Sequence, residues 1–422
     1  MAKYLLRYGE KALWTILLTL VALNGLQLWI QFGLGVWRGT LTGDFCSYYV
    51  AARVQQQDPG ALYDPVAFGA EGRALGLQPL PYLYPPILAW TLRPLSQWPL
   101  PQAFALWTGS NLVLLLILLV AALRLLRRDM PKVRWLLLGS LLAPPLLHSL
   151  SLGQVDLLLL VFLLPAMLQV TTSGAGRQVL RGIGIALAAH LKPSWGLLVL
   201  FELVRKRFWS AAAAGLLSLL LWGVEIAALG PAIVPDYLRG LRIGSHVNGL
   251  LWAGLDGSVW GATAAFFGLP GPAGSEAWVW PLDAVHEPIL GSSAVLYLVL
   301  ALLAGLGLVG LSWRPVPEDG LWDRWTLQAL VVVMMVTPLS AIHSVVLLFP
   351  AFLFLVQRWP SLRMGQRLAL WWVVLALLFS SLWYWGHAYL WPLGLMALPL
   401  LAGRMALWGL LRTAPRASPA AP

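Results

Sequence analysis

The chain has 422 residues, of which 59% are hydrophobic and only 11% are charged, whereas a soluble domain averages about 25% charged residues. Apolar segments of the roughly 20 residues needed to cross a bilayer recur along the whole length, so the composition predicts an all-α polytopic membrane protein. The net charge of +11 does not indicate a nucleic-acid partner, because the basic residues stand in short clusters between apolar segments, where they set membrane orientation.

The N-terminal part is predicted to contain four spans and a long loop on the outer face of the membrane. The first apolar segment lacks a small-residue cleavage site and is predicted to be a retained span. The four spans are expected at residues 12–32, 102–123, 135–152 and 156–170, with the first outer loop at 34–101. The single cysteine, Cys46, excludes an internal disulfide and is expected to serve as a labelling probe for that loop.

The segment from Gly182 to Val204 is long enough for one crossing, yet basic residues flank both of its ends. Lys192 and Pro193 interrupt it in the middle. A re-entrant hairpin with halves of about ten residues places both flanks, and most of the 28 basic residues, in the cytoplasm. A single crossing would distribute these charges almost evenly, so the hairpin is favoured.

The C-terminal part continues the same pattern and shows no soluble domain or internal repeat. A second outer loop, 230–288, contains a semi-apolar stretch that is expected to form a partly buried or interfacial helix pair. Further spans are expected at 208–229, 289–313, 325–341, 344–357, 368–386 and 390–411. The prediction is therefore one transmembrane domain, 1–411, of about ten spans plus the hairpin, followed by a disordered cytoplasmic tail, 412–422, in a monomer.

Four carboxylates fall in the first outer loop of a chain that has few: Asp44, Asp58, Asp64 and Glu71. Asp44 follows the first span and is predicted to be a catalytic base; the alternative is an N-cap of the amphipathic run 45–54. Asp58 and Asp64 flank a Pro-Gly turn and are expected to be turn formers.

Other polar residues are predicted to face the same outer side. Lys192, at the tip of the hairpin, is a candidate for binding a lipid phosphate, and its alternative is a lysine that snorkels to the interface. His343 lies in a turn between two short spans, where it is either catalytic or a hydrogen-bonded interfacial histidine. The remaining candidates for binding the donor or substrate are Gln154, Asn248, Asp256, Tyr48 and Tyr84. No metal-ligand cluster and no Asp-x-Asp pattern is visible, so neither a metal nor another cofactor is expected.

Several motifs occur in a characteristic order: DFCSYYVAARV, DPGALYDP, YLYPPILAW, SLGQVDLLLL, AAHLKPSWG and TPLSAIHSVV. Together, over about residues 40–360, they resemble glycosyltransferase family 87, the polyprenol-phosphate-mannose-dependent mannosyltransferases of the GT-C fold. The resemblance implies that Asp44 is the base, Lys192 the hairpin lysine and His343 the histidine of the late turn. The sequence departs from the family pattern at Ala341 and Ser344, where Trp and a second His are usual.

The resemblance implies an inverting enzyme of the cell membrane with an extracytoplasmic active site under a roof of outer loops. It would move a hexose, expected to be mannose, from a polyprenyl-phosphate sugar to an acceptor glycan or glycolipid. One base suffices for this chemistry, because the lipid phosphate leaves as a stable anion without a general acid. The rival interpretation is a transporter or lipid flippase. An O-antigen ligase or polymerase would require a late outer loop rich in Arg and His, which 230–288 is not.

Overall fold

The computed structural model describes residues 43–77, 79, 81–125, 144–168, 174–241, 322–336, 346–370 and 394–413, with short pieces and single positions elsewhere. Within these ranges the chain is helical, and its extended backbone pairs only in one isolated antiparallel bridge between Leu168 and Trp322. The described part therefore confirms the all-α class that the composition predicts.

The α-helices follow one another with short connections. In chain order they are α1 (Asp44–Gln57), α2 (Pro65–Ala74), α3 (Pro86–Ser96), α4 (Leu100–Leu125), α5 (Pro144–Leu152), α6 (Asp156–Met167), α7 (Ala175–Leu191), α8 (Leu197–Val204), α9 (Phe208–Leu229), α10 (Arg324–Val336), α11 (Phe349–Gln357) and α12 (Gly394–Thr413). Short 3₁₀ turns occupy Pro59–Ala61, Pro193–Gly196 and Trp359–Ser361. Proline opens α2, α3 and α5, since the first helical turn needs no N–H at that position.

Two described helices, α4 and α9, are long and apolar enough to cross a membrane. Only 11% of the apolar window in each helix is buried inside the protein, and side chains such as Leu116 and Leu219 are largely exposed. Exposed leucine stripes of this length need an apolar surrounding, which a bilayer provides. Both helices lie where the sequence predicts spans, 102–123 and 208–229.

The other predicted spans correspond to shorter helices or lie largely outside the described residues. The described parts of 135–152, 156–170, 325–341, 344–357 and 390–411 are almost entirely helical, whereas most of 12–32, 289–313 and 368–386 falls outside. The total of about ten spans stays a prediction. The predicted tail begins too early, because α12 continues to Thr413, whose carbonyl accepts a hydrogen bond from Gln366 Nε2 (3.2 Å).

The segment predicted to be the first outer loop folds into α1, α2 and α3, and three of its four carboxylates have structural roles. Asp58 accepts a hydrogen bond from the Gly60 N–H (3.0 Å), and Asp64 caps α2 through Val66 N–H (2.8 Å). Both are therefore turn formers, as the sequence predicts. Glu71 Oε1 pairs with Arg53 Nε (2.6 Å), which ties α2 to α1.

The sequence predicted an amphipathic helix at 45–54. Helix α1 is instead buried on most of its surface. Its neighbour α3 covers it, and Gln55 joins the two by donating from Nε2 to the Pro86 carbonyl (3.3 Å). Arg93 Nη2 in turn donates to the Gln55 carbonyl (2.9 Å). Cys46 is buried in this packing, so the expectation that it serves as a labelling probe is wrong.

The chain reverses at Lys192, so that α7 and α8 form a helical hairpin. Arg181 Nη2, in the first half of α7, donates to Glu202 Oε1 near the end of α8 (2.8 Å), which shows that the helices are antiparallel. The halves differ from the predicted ten residues each: α7 has 17 residues and α8 has 8. The basic flank that precedes Gly182 belongs to α7, and within it buried carboxylates neutralise Arg181. That this hairpin enters and leaves the membrane on one side stays a prediction.

Helix α9 runs parallel to α7 and packs closely against it. Gly182 lies against the backbone of Ser210 and Ala214 near the start of α9, where a Cβ could not fit. Further along both helices, His190 meets Glu225. Small residues thus allow α7 to pack against both neighbours, since Gly184 similarly faces the Phe162 carbonyl of α6.

A buried group of four charges closes the base of the hairpin. Arg181 Nη1 lies 3.2 Å from Asp323 Oδ2, and Arg207 bridges Asp323 Oδ2 (2.6 Å) and Glu202 Oε1 (3.3 Å). The group contains two cations and two anions and is neutral as a whole. Their mutual attraction offsets part of the desolvation cost of burying these charges. The group joins α7, α8 and the starts of α9 and α10.

Candidate active site

The first residues of α1 are held against the turn between α5 and α6, the turn that the sequence shows as SLGQVD. Gly43 lies so close that a Cβ there would be 2.9 Å from Leu152 Cα. Gly153 has a φ of +67° and faces Phe45. A Cβ atom at position 153 would lie only 2.6 Å from the Cβ of Phe45. Trp107 Nε1 of α4 donates to the Gly153 carbonyl (2.8 Å) and fixes the turn. Both glycines therefore bring α1 to the start of α6.

Asp44 occupies the first position of α1 and is partly buried beside this turn. The N-cap position is taken by Gly43, which has no capping side chain, so the alternative of Asp44 as the N-cap is wrong. The helix N-terminus still favours a negative charge at Asp44. Asp44 is thus the one carboxylate of the outer loop to which the described contacts give no cap or ion pair, while it faces the polar cluster described next.

Lys192, at the tip of the hairpin, forms an ion pair with Asp156 at the start of α6. The Nζ atom lies 2.8 Å from Asp156 Oδ1. The Asp156 side chain is fully buried, whereas 21% of the Lys192 side chain is exposed. The ammonium therefore has one fixed partner, and part of the Lys192 side chain is accessible. The ion pair gives Lys192 a fixed place beside α6; the alternative of a lysine that snorkels to the interface depends on where the membrane lies and stays a hypothesis.

Gln154 collects two tyrosines from different parts of the outer loop. Tyr48 of α1 and Tyr84, just before α3, both donate their hydroxyls to Gln154 Oε1, at 3.3 and 3.2 Å. The two rings pack edge to face with centroids 4.8 Å apart. Of the predicted donor-binding residues, Tyr48, Tyr84, Gln154 and Lys192 are thus brought together around Asp44.

The pKa of Asp44 is raised from 3.8 to about 6, chiefly because burial removes water from the carboxylate. The Lys192 ammonium lowers this pKa and the Asp156 carboxylate raises it, so both charges lie close enough to act on Asp44. A pKa of about 6 suits a general base, since the group is ionised at neutral pH and still holds a proton well.

Asp156 is a member of the cluster that the sequence analysis did not select. In the SLGQVD turn the sequence indicates Gln154 as a candidate site residue, whereas Asp156 marks only the start of a predicted span. A carboxylate at the end of a long apolar segment was nevertheless a usable signal, because such a charge needs a partner. The other predicted site residues, His343, Asn248 and Asp256, lie outside the described residues.

Two exposed apolar helices long enough to cross a membrane, together with a charged and aromatic cluster at the tip of a helical hairpin, indicate a membrane protein with a polar site in its described part. A family model described as glycosyltransferase family 87 matches residues 82–338, more than half of the chain. The chain therefore belongs to glycosyltransferase family 87 and is a membrane glycosyltransferase.

The matched region contains Tyr84, Gln154, Asp156 and Lys192, whereas Asp44 and His343 lie beyond its two ends. It is shorter at both ends than the resemblance seen in the sequence. Searches of curated proteins and of solved structures found no match to this chain.

Proposed function

We propose that the protein moves a hexose from a polyprenyl-phosphate sugar to the hydroxyl of an acceptor glycan or glycolipid on the outer face of the cell membrane. The observation that carries this proposal is the meeting of Asp44 with the Lys192–Asp156 pair under the tyrosines of the outer loop. One base and one anchored cation are the groups that this reaction needs.

In the proposed reaction the acceptor oxygen attacks the anomeric carbon of the sugar while the bond from that carbon to the phosphate oxygen breaks. The acceptor proton passes to Asp44, and the polyprenyl phosphate leaves with the bonding electron pair. A single displacement of this kind inverts the anomeric configuration. No general acid is required, because the leaving group is already a stable anion.

Lys192 is proposed to bind the donor phosphate through the N–H groups of its ammonium that Asp156 does not use. An ammonium has three N–H donors, and Asp156 uses one direction only. The fixed ion pair holds the nitrogen in place before the donor binds, so little order is lost on binding. The phosphate charge is balanced by this cation, and we propose that no metal ion is needed.

Gln154, Tyr48 and Tyr84 are proposed to line the space for the sugar. Their amide and hydroxyl groups offer donors and acceptors to sugar hydroxyls, and the two rings offer apolar faces. Asn248 and Asp256 in the second outer loop are proposed to contribute to the same substrate site. His343 is proposed to assist the reaction from the late turn. Mannose is the proposed sugar, in keeping with the family resemblance.

The direct test is transfer by the purified protein in lipid nanodiscs, with synthetic polyprenyl-phosphate mannose and polyprenyl-phosphate glucose as alternative donors. We expect a glycosylated acceptor and free polyprenyl phosphate in equal amounts, with mannose preferred, and the same rate with a chelator present. A flippase would instead move the intact donor across vesicle membranes and release no polyprenyl phosphate. That result would overturn the proposal.

A further inference from the structure

We propose that Glu225 is a positioning residue that holds residues 82–89, the tyrosine-bearing roof segment, over the hairpin tip. Glu225 lies in α9, an apolar helix long enough to span the membrane, and its side chain is only 2% exposed. A buried carboxylate in such a helix is costly and marks a specific function when a partner is found for it.

The partner is the N-terminus of α3. Glu225 Oε1 accepts a hydrogen bond from the Ile87 backbone N–H at 2.7 Å. The N-cap residue of α3, Pro85, makes no side-chain cap hydrogen bond, so this carboxylate from a distant helix caps the N–H of Ile87 in its place. A negative charge at a helix N-terminus is favourable, and the bond is strengthened by that charge.

Glu225 also contacts the hairpin. His190 Nε2 lies 3.1 Å from Glu225 Oε1, a close contact whose angles do not meet those of a hydrogen bond. His190 stands two residues before Lys192. One carboxylate therefore touches both the helix that carries the lysine and the segment that carries Tyr84.

The roof segment transmits this contact to the site through a chain of hydrogen bonds. Tyr82 hydroxyl donates to the Pro85 carbonyl (2.9 Å) and accepts from the Ala89 N–H (3.0 Å). Tyr63 hydroxyl donates to the Tyr84 carbonyl (2.7 Å). With the start of α3 fixed by Glu225, the Tyr84 side chain is held at Gln154. The inference rests on the proposed transfer reaction for its kinetic consequence but not for its structural one.

The test uses two substitutions of nearly equal size, Glu225→Gln and Glu225→Met. Gln keeps an acceptor oxygen for the Ile87 N–H, whereas Met has none and suits an apolar span at least as well. Hydrogen–deuterium exchange of the peptide 82–92 is measured on the full-length protein in nanodiscs. We expect Glu225→Met to speed exchange at Ile87 by at least about tenfold and Glu225→Gln to change it by less than about threefold. Asp236→Asn, at an exposed ion pair, is the control and should change nothing.

The kinetic measurement separates positioning from general stability. Asp156 still holds Lys192 in Glu225→Met, so the proposed phosphate contact is kept, and we expect donor affinity to fall clearly less than kcat, which falls about tenfold or more. Glu225→Gln should recover most of kcat. Equal exchange in the two variants would overturn the proposal, as would a loss of donor affinity that parallels the loss of kcat. If the exchange result holds but the wild type transfers no sugar, the proposed function fails and the positioning contact stands.

Discussion

Lys192 Nζ lies 2.8 Å from Asp156 Oδ1, and each member of this ion pair shifts the pKa of Asp44. The pair joins the tip of the hairpin to the start of α6, two elements that are far apart in sequence. Its two charges affect Asp44 in opposite directions, because the ammonium favours the ionised carboxylate and the second carboxylate disfavours it. The strength of the proposed base therefore depends on a residue that does not touch the substrate in our scheme.

The rate of transfer should depend on pH through Asp44. Burial raises its pKa to about 6, and a general base works only when deprotonated. We expect kcat/KM to be constant above about pH 7 and to fall about tenfold per pH unit below pH 6. Asp156→Asn removes the negative charge that raises the pKa of Asp44, so this pKa falls. The decline of kcat/KM on the acid side then moves to lower pH. The measurement is the pH–rate profile of both proteins.

The weaker base of Asp156→Asn should also lower the plateau rate. Ser149→Ala is a suitable control. Ser149 Oγ lies 3.5 Å from Asp156 Oδ2, and the substitution removes this contact without removing a charge. We expect its acid-side decline to stay within about 0.3 pH unit of the wild type. An Asp156→Asn profile that coincides with the wild-type profile would contradict the coupling between these residues.

Lys192 should govern donor affinity. We expect Lys192→Ala to weaken binding of a polyprenyl-phosphate sugar about 30-fold or more, because a charge-assisted contact to phosphate is lost and Asp156 is left unpaired. Lys192→Arg should retain part of the affinity. Binding is measured by titration in nanodiscs. The double variant Lys192→Met with Asp156→Leu removes both charges and serves as the control for folding. Unchanged donor affinity in Lys192→Ala would exclude the phosphate role.

The buried charges at the base of the hairpin should matter for stability. Arg181→Met leaves Glu202 and Asp323 with Arg207 as their shared cation, and breaking a buried ion pair in this way costs about 3–5 kcal/mol. We expect a clear fall in the thermal unfolding temperature, measured by intrinsic fluorescence in detergent. Arg239→Met breaks an exposed pair with Asp236 and should change stability by less than about 1 kcal/mol. Equal effects of the two substitutions would show that the buried group adds no stability.

The sequence predicted those features that depend on local chemistry. The long apolar runs predicted α4 and α9, the Asp-Pro pairs predicted turns at Asp58 and Asp64, and the interruption at Lys192 predicted the break between α7 and α8. The pairing of Lys192 with Asp156 could not be predicted, because it depends on the packing of α7 against α6, where Gly184 faces the Phe162 carbonyl. Ion pairs between distant residues carry no periodic signal.

The burial of Cys46 escaped prediction for a related reason. A loop helix with few apolar residues at regular spacing looks exposed in the sequence, but α3 and the α5–α6 turn cover it. The same packing removed the N-cap role from Asp44, since Gly43 alone can approach Leu152 so closely. In both cases tertiary contacts decided what local propensity left open.

The membrane topology can be tested at exposed positions now that Cys46 is known to be buried. In a Cys46→Ala background we expect Gln56→Cys to react with an impermeant maleimide added outside and Lys206→Cys to react only after permeabilisation. Both positions are exposed, and neither is in the proposed site. Labelling of position 206 from outside would overturn the re-entrant hairpin and the orientation of every later span.

The last prediction concerns Asp44 itself. A general base must lie within about 3 Å of the acceptor oxygen or reach it through one water. Asn keeps the size of the side chain but cannot accept the proton, so we expect folded Asp44→Asn to bind the donor and to transfer about 100-fold more slowly or worse. Asp44→Glu should be nearly as poor, because its longer side chain misplaces the carboxylate at the tightly packed start of α1.

The controls for Asp44 are the two capping aspartates of the same loop. Asp58→Asn and Asp64→Asn change a cap by one atom and keep an acceptor oxygen, so each should lose less than about threefold in transfer rate. Donor binding, thermal stability and transfer are measured on all four variants, which separates a chemical defect from a folding defect. A folded Asp44→Asn protein with near-normal transfer would show that the proton goes elsewhere, and the role of base would then fall to another group. If instead only Asp44 variants lose transfer while every variant binds the donor, the proposed base is supported, since the three aspartates share a loop and differ in what surrounds their carboxylates.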